Sequence, residues 1–314
     1  MALPQLITRD DIETGISRAC CQCAHPDAGF FGPGSITWQL LRENITVLSQ
    51  GRILVLALAN SRLSQLLPSE SDAIQRLQHS HRFLMKVVFG NQEQAMMTLS
   101  DQAQRRKTLF DVRESETLLY AITAWMDSCL AIYQAVIGPL TTALEERLFE
   151  ETMLLAEIMG IREEKLPSHW HAYRHWWQQQ QAQTRALGNT RRQLGNALIR
   201  SQGFPNRVPF GSYSALASFT VPPSLVEAFD LAPANLTNHR RYQRQLQRLM
   251  DTLCHLPDKL RYQPVYYEAR ERLQGRARAG LATRLLNRWW SGESELVSSG
   301  WSMPKADRLP GLSI

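Results

Sequence analysis

No stretch of this 314-residue sequence is long and apolar enough for a membrane span: the longest uninterrupted apolar run is Ile53 to Ala59, against the roughly 18 residues a spanning helix needs. The opening residues, MALPQLITRDD, show no basic segment followed by an apolar core, so no secretory signal is read and a cytoplasmic address is expected. Cysteine is scarce and badly placed for cross-links. Cys20, Cys21 and Cys23 crowd together, while Cys129 and Cys254 stand alone in apolar helical patterns, so a disulfide framework is not implied. Cys-Cys-x-Cys also lacks the spacing of zinc fingers or ribbons, and a reduced N-terminal segment is expected instead. There is no phosphate-cradling glycine loop, nucleophile elbow or paired-carboxylate motif.

Charge of one sign is weak. The net charge of +6 is spread over the whole chain, too thin for a nucleic-acid partner without a clustered stripe. Basic residues do gather at Arg240 to Arg248 and at Arg276 to Trp290. Glu, Asp and Leu are interleaved with them, which favours solvated helix faces over a phosphate or membrane surface.

What is abundant is apolar residue at spacings of three and four. With 44% hydrophobic residues the chain can bury a large core, and the periodicity predicts an all-α fold. Helices are expected over 35–49, 51–66, 70–88, 91–107, 115–137, 141–159, 168–200, 222–229, 237–255 and 258–290. A single domain is expected over 29–290, with an N-terminal extension over 1–28 and a tail over 291–314. Gly160 is read as a left-handed cap, Thr141 as an N-cap, and Pro68-Ser69 as a break. The run Ile53 to Ala59 and the block Leu118 to Val136 are apolar on nearly all sides, which places both helices at the centre, where they can wall a pocket. Gly203 to Pro233 is rich in Pro, Ser and aromatics and reads as a cover over a site or as a surface connector. His171 and His175 share a helix face, but no Glu is placed as in His-Glu-x-x-His, so an aromatic-rich amphipathic helix is the better account.

An ordered series of short motifs carries a resemblance. Phe30-Phe31-Gly32-Pro33-Gly34-Ser35-Ile36-Thr37-Trp38 is followed by Gly51-Arg52-Ile53-Leu54, by Arg76-Leu77 with Ser80, and by Phe89-Gly90 with Ala95. Leu118 to Leu140, Glu151, Gly160-Ile161, Leu166-Pro167, Val221-Pro222, Leu256-Pro257, Arg261-Tyr262-x-Pro264 and Ala269 continue it. Over about residues 29–275 the chain resembles the latex-clearing rubber oxygenases and the MpaB-type oxygenases. The resemblance implies a globin-like core of about eight to ten helices, haem b, and oxidation of a small apolar substrate with dioxygen, as in natural-product tailoring.

The resemblance also places the chemistry. The usual proximal His falls about eleven residues past the Ala, which here reaches Arg106; Arg stays protonated and cannot ligate iron. Asn60-Ser61 stands where His-Pro is common. His79 occupies the place of a distal Lys and is the candidate axial ligand, with Arg76 and Ser80 beside it at i−3 and i+1. In that reading Arg76 binds a propionate or polarises oxygen, His79 ligates iron or moves protons, and Ser80 hydrogen-bonds the bound species. The other reading makes all three locally satisfied polar residues, and the chain a haem-free relative acting as another enzyme or a ligand-binding protein. His81 is expected to point away from His79. Oligomeric state is not legible.

Overall fold

The computed structural model describes residues 6–23, 25–105, 107–182, 189–200, 220–231, 236–276 and 278–297. It is all-α: the described residues contain no strand, only isolated bridges between Leu6 and Glu114 and between Glu43 and Tyr262. No described helix is long and apolar enough to cross a membrane.

The centre is built from the two segments whose apolar residues run all round. Helix α3 (Gln50–Ala59) is buried from Gln50 to Leu58, and α6 (Ser115–Val136) buries Leu118 to Met126 without interruption. Their one charged tie is internal, since Arg52 on α3 pairs with Asp127 and donates to Ser128 Oγ at 2.9 Å on α6. Helices α2 (Ile36–Leu41), α4 (Glu70–Phe89) and α7 (Thr142–Ile158) pack on this pair, and α5 (Gln92–Arg105) packs on α4. Trp38 on α2 is sunk against Phe89 and Tyr266, and its indole donates to Val88 O at 2.8 Å. The Glu151 carboxylate accepts from the N–H groups of Ile36 and Thr37 at 3.0 and 2.7 Å, an anion placed where a helix start has unpaired donors.

Several expected elements are divided. The expected helix 35–49 ends at Leu41 and resumes as a 3₁₀ segment, Asn44–Ser49, and that over 51–66 stops at Ala59. There Asn60 Oδ1 accepts from the N–H groups of Arg62 and Leu63, both at 3.0 Å, so its amide turns the chain. The expected helix 168–200 is described as α8 (Trp170–Ala182) and α9 (Asn189–Arg200). After α10 (Pro223–Ala228) and α11 (Leu236–His255), the expected helix 258–290 divides into α12 (Asp258–Arg261), α13 (Pro264–Leu273) and α14 (Leu281–Ser291). Pro264 can only open a helix, because it has no N–H to give to the turn before it. His171 and His175 on α8 are exposed, and the described residues contain no cluster of three metal-ligating side chains. Most of the expected cover over 203–233, namely 203–219 and 232–233, lies outside the described residues.

The N-terminal extension contains a helix that the periodicity did not suggest. Helix α1 (Arg9–Gln22) is started by a capping box, Thr8 with Asp11, and buries Gly15 and Ala19. It lies so close to α7 that a Cβ on Gly15 would stand 2.0 Å from Glu157 O. A Cβ on Gly160, whose φ of +93° ends α7, would meet Ile7 and Ile12 at 2.7 Å. The C-terminal segment is also bound in. Glu268 on α13 is fully buried and accepts from the N–H groups of Leu296 and Val297 at 2.9 and 2.8 Å and from Asn287 Nδ2 at 2.7 Å. One turn on, Arg272 donates to the carbonyls of Phe89 and Val297 at 2.9 and 2.8 Å, and burial lowers its pKa to about 10. Residues 298–314 lie outside the described residues.

Candidate functional site

Helix α4 carries the residues singled out from the sequence. Ser69 caps it, its hydroxyl accepting from Asp72 N at 3.2 Å, and Ala73, Leu77, Ser80, Leu84 and Val87 form its buried stripe. Ser80 is completely buried; its hydroxyl donates to Arg76 O at 2.6 Å and accepts from Leu109 N at 2.8 Å. Arg76 sits at the rim of the same stripe and donates to Thr108 O at 3.0 Å and Asp111 Oδ2 at 3.3 Å. Arg76 and Ser80 therefore converge on the loop 108–111, which they fasten to α4.

His79 faces another way. It is half-buried on the side of α4 that also bears Arg82 and Lys86, and its Nδ1 lies 2.8 Å from Gln75 O. That contact selects the tautomer protonated at Nδ1 and leaves Nε2 as the lone-pair nitrogen. Burial first, then the neighbouring Arg82, hold its pKa below the ordinary histidine value. Arg106 lies outside the described residues.

The loop has a second face. Asp111 is held by Thr108 N at 2.6 Å and by Arg76, although burial pushes its carboxyl above the usual carboxylate range. Phe110 and Asp111 line a chamber of about 600 Å³. Phe83 of α4, Leu99 of α5, Leu118 of α6 and Met159 at the end of α7 complete its apolar wall, with Thr8 and Arg9 at the start of α1. Its volume falls in the roughly 300–1,000 Å³ range of small-molecule pockets. The sequence reading missed this arrangement; its one local signal was the Thr-x-x-Asp turn at Thr108 to Asp111.

Haem b needs an axial donor that opens on an apolar slot. The described residues separate the two features. The lining of the apolar chamber contains no imidazole or thiolate, whereas His79 stands among Arg82, Lys107 and Asp111. Ser80 has both its hydroxyl bonds filled from within the protein. Among the described residues, the candidates do not fit haem b in the manner the sequence resemblance implies.

A second, smaller cavity of about 240 Å³ lies across α4, lined by Gln78, His81 and Met85 of that helix together with Gln50, Gln263 and residues of α14. His81 does point away from His79, and it lines this cavity while remaining partly accessible. Its ring lies 6.5 Å from that of Trp125, and burial, then Arg82, lower its pKa to about 4.

Residues 38–254 match the family described as ER-bound oxygenase mpaB/B'/Rubber oxygenase, catalytic domain. No curated protein and no solved structure matches the chain. A match across more than half the sequence, on an all-α fold, is decisive for kinship: this chain belongs to the mpaB and rubber-oxygenase catalytic-domain family, and is an oxygenase by class, an activity compatible with a haem or iron cofactor.

Proposed function

We propose that this chain oxidises a small apolar substrate with dioxygen, and that the substrate lies in the chamber bounded by α1, α4, α5, α6 and the loop 108–111. The observation that carries the reading is the chamber itself: it is apolar, large enough for a small molecule, and one wall is the loop that Arg76 and Ser80 hold in place. In this reading Phe83, Phe110 and Leu118 desolvate the substrate, and Asp111 and Arg113 supply the few polar groups that orient it. Arg76 and Ser80 are positioning residues, and haem b is not held by His79.

A second reading keeps His79 as an iron ligand. It is favoured by the tautomer, because Nδ1 bonded to a carbonyl is the arrangement by which proteins aim Nε2 at a metal. Burial, then Arg82, lower the His79 pKa and so favour the neutral imidazole that a metal requires.

An ultraviolet–visible spectrum with iron quantification, on full-length protein expressed with haem precursor, separates the two. The first reading expects any Soret band to survive His79→Ala, and saturable binding of an apolar probe that Phe110→Asp abolishes. A Soret band lost on His79→Ala establishes the second and overturns the first. Failure of every apolar probe to bind sinks the chamber as the substrate site.

A further inference from the structure

We infer that the smaller cavity across α4 is a binding site for a small organic anion that carries a hydrogen-bond donor. It lies apart from the apolar chamber: Gln78, His81 and Met85 face it, whereas Phe83 faces the chamber. At about 240 Å³ it far exceeds the roughly 10–15 Å³ that admits one water. It falls just short of the roughly 300 Å³ at which pockets for drug-sized ligands begin. A small metabolite is the matching size.

Some of its polar groups are bonded within the protein, Asn287 to Glu268 and Ser291 to the Asn287 carbonyl, but the Gln50 amide oxygen is not. Gln50 is 3% exposed, yet its Oε1 accepts no hydrogen bond. A buried acceptor left in that state is a standing cost that a hydrogen-bonding ligand would remove. His81 is neutral at physiological pH and offers one donor and one acceptor. Arg82 and Arg288 also line the cavity, and among its described lining residues none is acidic. Arg82 is only loosely matched, its guanidinium 3.6 Å from Glu293. Two guanidiniums with no carboxylate in the wall select an anion; the Gln50 oxygen selects a ligand hydroxyl or amide N–H.

Helix α14, which supplies Asn287 and Arg288 to the cavity wall, packs in an unusual way. Its amphipathicity is inverted: Leu281, Leu285 and Trp289 are 76%, 70% and 59% exposed, while Thr283 and Asn287 are buried. A helix normally turns its apolar stripe inward. This one turns Thr283 and Asn287 toward Glu271 and Glu268, whose carboxylates accept their hydrogen bonds.

The test is titration calorimetry of the full chain with L-malate, L-lactate and inorganic phosphate as probes; the arms distinguish a carboxylate from a phosphate ligand. The inference expects one probe to bind with a Kd below about 1 mM, weakened about tenfold or more by Arg82→Gln. Gln50→Leu should weaken it similarly while melting no lower than the parent, because it removes an unpartnered buried oxygen. If Arg82→Gln does not fold, Gln50→Leu decides alone. No binding by any probe, binding indifferent to the variants, or a Gln50→Leu protein that binds normally but melts lower overturns the inference. None of these outcomes depends on the oxygenase reading, whose substrate site lies elsewhere.

Discussion

Ser80→Ala distinguishes a hydroxyl that acts on a bound species from one that holds a loop. In the native protein the Ser80 oxygen is the acceptor for Leu109 N at 2.8 Å, and both residues are buried. The bond it donates to Arg76 O is a back-bond to a carbonyl of its own helix, and its loss costs little. The Leu109 N–H is different, because removing its acceptor leaves a buried donor unpaired, at about 1–3 kcal/mol. With a urea m-value of about 2–3 kcal/mol/M, the unfolding midpoint should fall by roughly 0.3–1.5 M. The loop that carries Phe110 and Asp111 should loosen, so amide exchange at Leu109 should accelerate and the affinity for an apolar probe should drop with it. A Ser80→Ala protein with an unmoved midpoint and a still-protected Leu109 amide, but with turnover lost, would refute this reasoning and return the hydroxyl to the reacting species.

Acid should weaken the fold through His81. Its pKa is about 4 in the folded chain against an ordinary 6.5, so the unfolded chain takes up the proton first; stability is full above pH 6.5 and is lost as pH falls toward 4, by about 2 kcal/mol between pH 7 and pH 5. Urea midpoints of parent and His81→Phe at the two pH values measure this contribution, and equal losses in both proteins would disprove it. Gly15→Ala tests whether α1 is part of the packed body. In an undocked helix the change would stabilise by up to about 1 kcal/mol, but a Cβ placed 2.0 Å from Glu157 O must lift α1 from α7, so a loss of about 1–3 kcal/mol is expected in thermal or urea unfolding.

The sequence by itself determined the helical class, the central helices, several chain breaks and the family. Each depends on information local in the chain. Apolar residues on every side of Ile53 to Ala59 leave that helix nowhere to lie but inside, and Thr141 opens α7 through its hydroxyl while Gly160 closes it through its backbone. Helix α1 was not legible, because its buried face is small residues, Gly15 and Ala19; close approach to α7, and not hydrophobic periodicity, holds it. The site was only half legible. The spacing of Arg76, His79 and Ser80 is set by the helix, but what each faces is set by partners elsewhere in the chain. Thr108, Leu109 and Asp111 engage Arg76 and Ser80, and α14 returns from the far end of the sequence to enclose His81 with Gln50. Tertiary structure alone decides such matters, since a side chain's hydrogen bonds and solvation depend on groups distant in sequence, and no spacing records which of them folding brings near.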